Sequence, residues 1–253
     1  MSMSNKYNLK RLFKKYLKFK SHYEYSTINQ AINFDKKVIF IAIPKTGTTS
    51  IRTQLKKRGR PLIKDPHLNI RQVRQLIYFY LLKDNLGVNN NFPSNDILTD
   101  SKIWQKTDEI FNSFFKFSSV RNPWARAVSL YHRKEGTNKV SKRLKDRMTF
   151  EEFCEQHFYA SDTCIHPTSH KNQIDWLTSE NGKLLMDYVY KLEDFDKAIV
   201  EIEKLTDGRL ILNNIKKNTN QTTNDYRQMY NDKTRKIIEK RFEKDIDLFK
   251  YTF

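Results

Sequence analysis

Lys45, Thr46, Gly47, Thr48, Thr49 and Ser50 stand in an unbroken row directly behind a strand-length apolar run. Gly47 allows the backbone to turn tightly, and the small hydroxyl residues after it suit the opening of a helix. The continuation Ser50-Ile51-Arg52-Thr53-Gln54-Leu55 keeps helical spacing. At such a helix start, N–H groups and the positive end of the dipole converge on one point, which is the requirement of an anion. Thr46, Thr48, Thr49 and Ser50 add hydroxyl donors, and Lys45 adds a mobile charge. The stretch is therefore expected to bind phosphate. Its order is not that of the nucleotide-triphosphatase loop, in which the lysine follows the last glycine and a hydroxyl after it holds magnesium. Here Lys45 precedes Gly47.

A second group of chemically capable residues follows the apolar segment Phe114–Val120. Arg121 falls at the carboxyl end of that predicted strand, where ligands of open parallel sheets gather. A guanidinium there can clamp a phosphate through two parallel hydrogen bonds. Asn122 as cap and Pro123 at the first helical position start a helix. Ser129 lies about two turns into it, on the face shared with Arg126 and Arg133. The plainer alternative is that Arg121 caps a carbonyl and Ser129 is helix surface.

His67 is the candidate base. Asn69 and Gln72 resemble a capping box, and Val73, Leu76, Ile77 and Tyr80 repeat behind them, so His67 sits just outside a helix N-terminus. The positive dipole end disfavours an imidazolium and favours a neutral ring that can take a proton. A purely structural histidine is the competing reading. Cys164, His166 and His170 have ligand chemistry, but three donors without a matched fourth make a poor zinc pattern, and no metal is expected.

The elements that must position these groups are those of an α/β protein. Val38–Ile43, uninterrupted and rich in β-branched residues, predicts a strand buried on both faces, as in a parallel sheet. Pro44 ends it. The polar segment Lys83 to Lys106 is expected to be a loop or insertion over the active face. Met186–Tyr190 predicts another strand, followed by Glu193, the cap Asp194 and a helix ending at Asp207-Gly208. Leu210-Ile211-Leu212 suggests a short strand, and the stripe Ile238, Phe242, Ile246, Phe249 a terminal helix packed on the sheet. The expected architecture is a three-layer, P-loop-type parallel sheet flanked by helices, in one domain spanning 36–253. Residues 1–35 form a basic amphipathic extension ahead of it.

The chain has 253 residues and a formal charge of +18. Such a balance implies acidic partners, whether nucleic acid, anionic lipid, an acidic polymer or a phosphate-bearing cofactor. Cys154 and Cys164 are the only cysteines, which is no disulfide framework, and two free thiols are expected. No apolar run approaches membrane-spanning length and the N-terminus lacks a signal-like core, so a soluble cytoplasmic protein is expected. Residues 6–20 carry lysines and an arginine beside an apolar face, which would suit peripheral contact with an anionic membrane. A helix packed on the domain with solvated lysines is the plainer account.

The order Pro-Lys-Thr-Gly-Thr-Thr-Ser resembles the 5′-phosphosulfate loop of sulfotransferases that use 3′-phosphoadenosine 5′-phosphosulfate (PAPS). Val-Arg-Asn-Pro-Trp-x-Arg-x-Val-Ser-Leu-Tyr is similar to the 3′-phosphate element of the same family, particularly its carbohydrate and bacterial glycan branch. The resemblance runs from about residue 36 to the C-terminus. It implies the sulfotransferase fold, PAPS as donor and 3′,5′-adenosine bisphosphate as product, without a required metal. It places Lys45 at the bridging oxygen, Thr46, Gly47, Thr48, Thr49 and Ser50 around the 5′-phosphate, and Arg121 and Ser129 on the 3′-phosphate. Lys216 and Lys217 correspond to a loop closing over the nucleotide, although the Arg-Lys-Gly loop of small-molecule members is missing. His67 corresponds to the histidine base of one branch, while a related branch uses a carboxylate. His170 and Gln173 lie in a stretch similar to the one near the acceptor cleft. A glycan or glycolipid hydroxyl is the implied acceptor. An atypical P-loop kinase and a non-catalytic nucleic-acid or polyanion-binding protein are the competing functions.

Overall fold

The computed structural model describes residues 31–55, 67–85, 99–132, 134–135, 142–143, 148–159, 171–214 and 225–253. Val38, Ile39, Phe40 and Ile41 form a strand, β2 (Val38–Ile41), in which every side chain is buried. Because successive side chains leave opposite faces, Ile39 and Ile41 enter one apolar cluster and Val38 and Phe40 another. Both faces are therefore covered, as the unbroken apolar run predicts. Strand β3 (Phe115–Val120) pairs parallel to β2, with Phe40 opposite Phe117.

A short strand, β1 (Ile32–Asn33), pairs antiparallel to β2. This makes the sheet mixed rather than wholly parallel and brings residues ahead of 36 into the core, since Ala31 and Ile32 are buried. Two residues are too few for a periodic signal, so β1 leaves no mark in the sequence pattern. Two further pieces, β4 (Lys134–Glu135) and β5 (Lys142–Arg143), pair antiparallel with each other in a separate ribbon. The main sheet is completed by β6 (Tyr188–Lys191), parallel to β3, in the order β1-β2-β3-β6.

Helices cover both faces. On one side, α1 (Thr48–Leu55) follows β2 and contributes Ile51 and Leu55 to the cluster of Phe40 and Phe117. On the other side lies α2 (Ile70–Asn85), whose Ile70, Val73, Leu76 and Ile77 join the cluster of Ile39 and Ile41. Asn69 and Gln72 exchange hydrogen bonds of 2.9 Å each way at its start, the reciprocal box the sequence suggests. Then comes α3 (Asp100–Ser113), whose residues up to Lys106 fall in the segment expected to be a loop. Its buried residues Ile103, Thr107 and Phe111 recur at helical spacing, but the intervening positions are polar enough to mask the period.

After β3 comes α4 (Pro123–Tyr131), capped by the Asn122 side chain, which accepts from the N–H groups of Trp124 and Ala125. A short helix, α5 (Phe150–Cys154), opens with a full capping box at Thr149. Helix α6 (Phe195–Leu205) follows β6 and places Ala198 and Ile202 on the side of α1.

Leu210–Leu212 is not a strand. Leu210 and Leu212 pack inward, but the amide of Gln54 takes the place of a strand neighbour, donating to the Asn213 carbonyl and accepting from its N–H at 3.0 and 2.7 Å. The terminal apolar stripe is carried by two helices rather than one. These are α7 (Asp232–Arg241) and α8 (Glu243–Phe249), separated at Phe242, whose φ of −112° and ψ of 27° depart from helical values. Among the described residues, no helix is long and apolar enough to cross a membrane.

Phe117 is fully buried in the central strand and packs on Phe40 with ring centroids 5.0 Å apart. Phe117→Ala should lower the unfolding free energy by about 3–5 kcal/mol in a urea titration. Ile211→Ala, at a side chain 59% exposed, should stay within about 0.5 kcal/mol of the parent.

Candidate functional site

The loop from β2 to α1 carries the first group of expected site residues. Lys45 and Gly47 both adopt left-handed backbone, at φ 70° and 75°, with Thr46 between them. Such alternation turns neighbouring N–H groups toward a common hollow, an anion-binding feature that adds to the start of α1. A Cβ on Gly47 would lie 2.4 Å from Leu192 Cδ1, so the residue is confined both by conformation and by space. Lys45 and Thr49 are half-buried, Gly47 is exposed, and Thr48 and Ser50 are largely covered.

Thr46 departs from expectation. Its side chain is fully buried, and its hydroxyl lies 3.0 Å from the Ile43 carbonyl and 2.8 Å from Ser119 Oγ on β3. That hydroxyl therefore anchors the loop to the sheet instead of facing a ligand, and only the Thr46 main chain is left to serve one. Strand β3, helix α4 and the turn between them hold the loop at further points. Arg126 Nε donates to the Pro44 carbonyl at 3.1 Å, Arg121 Nη1 to the Lys45 carbonyl at 3.3 Å, and Ser119 Oγ to the Thr46 carbonyl at 2.8 Å.

Arg121 thus stands against the first loop, joining the two groups of residues that the sequence separates by more than seventy positions. Its main chain is gripped from behind by Gln173. The Gln173 Oε1 accepts from the Arg121 N–H at 2.8 Å, and Nε2 donates to the Arg121 carbonyl at 2.9 Å. Gln173 is 0% exposed, so it does not face an acceptor as its neighbourhood in the sequence suggests. It positions Arg121. Its own N–H and Nε2 both donate to Asp245 Oδ2, at 2.7 and 3.2 Å, while the Ile174 N–H donates to Oδ1 at 3.0 Å.

The electrostatics follow from burial. Desolvation pulls the Arg121 guanidinium below its ordinary pKa, against the favourable pull of Glu193 and Tyr251. Arg126, wholly buried, is pushed down to about 10 by desolvation, with Asp245 opposing the shift and Arg121 adding to it. It remains a cation at neutral pH. Burial raises the Asp245 carboxyl, and the N–H donors of Gln173 and Ile174 together with Arg126 act in the other direction. Glu193 closes the far side: one oxygen accepts from the Asn122 N–H at 2.9 Å and the other lies 3.4 Å from the Tyr251 hydroxyl.

His67 stands half-buried beside the carboxyl end of β2, its Nδ1 2.7 Å from the Ala42 carbonyl. A carbonyl can only accept, so Nδ1 carries the proton and Nε2 is the ring's basic nitrogen. Ser129 is half-buried in the second turn of α4. Lys216, Lys217 and His170 lie outside the described residues, as do Arg133, Cys164, His166 and the basic segment 6–20. Cys154 is a buried free thiol whose pKa is raised by desolvation, which suits packing and not nucleophilic chemistry. Among the described residues, no group of three or more His, Cys, Asp or Glu side chains is placed to hold a metal ion.

Sequence reasoning did not single out Ser119, Arg126 or Asp245 as parts of this site. Arg126 lies inside the second motif, yet nothing in its spacing reveals that it reaches a carbonyl 82 positions earlier.

Gly47 and Gly182 both sit at positive φ, but a Cβ at Gly182 would meet nothing within 4 Å. Alanine at either position should cost about 1–2 kcal/mol for left-handed backbone. Gly47→Ala should lower the melting temperature further than Gly182→Ala, because Leu192 must also move aside.

The sequence model of the Sulfotransferase family matches residues 29–252, a span that contains every strand and helix described above. No curated protein and no solved structure matches the chain. The match starts ahead of β1, in agreement with the sheet's own boundary. With a match of that length over an α/β sheet of this form, the chain belongs to the sulfotransferase family, whose reaction is the transfer of a sulfuryl group.

Proposed function

We propose that the protein transfers a sulfuryl group from PAPS to a hydroxyl of a carbohydrate acceptor, with His67 as the general base. The observation that carries this reading is the place of Arg121 against the first loop: one N–H caps the Lys45 carbonyl, as the plainer alternative expects, and a guanidinium has five donors, so the same contact sets a cation beside the loop. A donor with phosphates at both extremities of an adenosine suits such a pair. The residues present fit it: a loop with left-handed backbone at Lys45 and Gly47 for the 5′ end, and a guanidinium beside it for the 3′ end.

In this reading the acceptor oxygen attacks sulfur in line with the bond to the leaving phosphate oxygen. An oxygen–sulfur bond forms to the acceptor as the bond to the phosphate breaks, and the leaving group departs with that electron pair as 3′,5′-adenosine bisphosphate. His67 Nε2 takes the acceptor proton, and the Nδ1 hydrogen bond to Ala42 fixes the tautomer that permits this. Lys45 stabilises the charge developing on the leaving oxygen, with the main-chain N–H groups of Thr46 to Ser50 around the phosphate. Arg121 and Ser129 anchor the 3′-phosphate and set the donor's register. Lys216 and Lys217 are assigned to closure over the nucleotide and His170 to the acceptor side. The formal charge of +18 favours an acidic glycan, and peripheral contact with an anionic membrane through residues 6–20 belongs to the same reading.

Two measurements test it. 3′,5′-Adenosine bisphosphate should raise the melting temperature, corresponding to about 2.7 kcal/mol at a hundredfold excess over Kd, while ATP with magnesium should not. The reverse ranking would favour a kinase. With PAPS and a panel of neutral and acidic oligosaccharides, Lys45→Ala should lower turnover by about 10²–10³-fold with little change in donor binding. His67→Ala should lower it by about 10²–10⁴-fold, and Arg121→Ala should chiefly weaken donor binding. Equal, mild losses in all three variants would contradict these roles.

A further inference from the structure

Three consecutive carbonyls of the first loop, those of Pro44, Lys45 and Thr46, each accept a hydrogen bond from a side chain of the segment that runs from β3 through the turn at Arg121 into α4. The donors are Arg126, Arg121 and Ser119. In a planar trans peptide, the carbonyl of one residue and the N–H of the next point in opposite directions, and no cis bond is present among the described residues. Drawing these three carbonyls toward the β3–α4 segment therefore turns the N–H groups of Lys45, Thr46 and Gly47 the other way, away from it.

We propose that Arg126 and Ser119 are positioning residues that clamp the loop's carbonyls and so aim its amides at the donor's 5′ end. The proposal rests on PAPS being the donor. Neither residue touches the nucleotide in this account, since Arg126 is 1% exposed and Ser119 0%. Arg126 also has a further carbonyl, that of Lys171, on Nη1 at 3.3 Å, yet its Nη2 is buried without a hydrogen-bond partner. A buried cation with one nitrogen unsatisfied is a poor device for stability alone. What it does hold, through Nε, is the residue ahead of Lys45. Ser119 is a second clamp from the neighbouring strand, and its hydroxyl also meets that of Thr46 at 2.8 Å.

The test uses the full chain and three probes by calorimetric titration: adenosine 5′-monophosphate for the loop end, adenosine 3′-monophosphate for the Arg121 end, and 3′,5′-adenosine bisphosphate for both. Arg126→Lys keeps the charge but loses the planar fork, and Ser119→Ala removes one hydroxyl. Each should weaken the 5′-monophosphate and the bisphosphate by about five- to tenfold, the loss of one hydrogen bond's worth of orientation. Affinity for the 3′-monophosphate should stay at the parent value. Equal weakening of all three probes, or none, would overturn the clamp. Parent protein that fails to bind the bisphosphate would overturn the donor reading and the clamp with it. Should Arg126→Lys not fold, as judged by circular dichroism, the ratio of the two monophosphates in Ser119→Ala decides the matter.

Discussion

A buried carboxylate holds the two halves of this site together. Asp245, on the last helix, accepts from the Gln173 N–H, the Gln173 side chain and the Ile174 N–H. Gln173 in turn clasps both main-chain groups of Arg121, whose guanidinium reaches the Lys45 carbonyl. The path thus runs from the C-terminal helix to the loop between β2 and α1 through one glutamine. A carboxylate away from water is tolerated only when donors and a counter-charge surround it, and here they are three N–H groups and the Arg126 cation. Removing one partner of such a group costs about 3–5 kcal/mol, so the arrangement resists partial dismantling.

The same packing brings two guanidinium groups close together beside the first loop. Arg121 and Arg126 are near enough for Arg121 to lower the pKa of Arg126, and burial lowers both. Two cations held in this way repel each other and lack water. A multiply charged anion in front of the loop relieves both penalties at once. For the donor proposed above, this favours a ligand bearing several negative charges over a neutral or singly charged one. The transferring sulfuryl group itself carries less charge than a phosphoryl group, so side-chain cations and backbone donors are suited to it.

Much of this was legible in the sequence because it is local. The apolar run of β2, the turn at Gly47, the Asn69–Gln72 box and the Asn122–Pro123 helix start each depend on residues a few positions apart, and each appears in the structure, although β2 ends at Ile41 and not at Ile43. What was not legible depends on distance along the chain or on weak period. Gln173 was placed near an acceptor, yet its amide is engaged by Arg121 and Asp245, 52 and 72 positions away. Helix α3 shows too few apolar residues to announce itself. The glutamine that replaces a strand partner at Asn213 leaves no trace in residues 210–212 themselves. Thr46 has the composition of a phosphate ligand, and only the fold shows its hydroxyl turned inward.

Lys45 poses the sharper physical question. Among the described residues, Lys37, Asp207 and Lys250 also have positive φ without being glycine. Lys37 closes a turn onto the Phe34 carbonyl, Asp207 stands between the end of α6 and Gly208, and Lys250 is the left-handed cap of α8. Each is at an ordinary place for such backbone. Lys45 instead lies between the end of β2 and the start of α1, where glycine would adopt the same φ without the cost of about 1–2 kcal/mol. A side chain is retained there in spite of that cost, and the surrounding carbonyl bonds from Arg126, Arg121 and Ser119 are what make the conformation compulsory. Strain of this kind persists where the fold over-determines it and the strained residue has work that glycine cannot do. The bonds to the loop's carbonyls supply the first condition, and the role proposed for Lys45 supplies the second. In the proposed reaction the loop's rigidity and its chemistry are one requirement: an amine that is to stabilise the leaving oxygen can do so only if the backbone that carries it cannot relax.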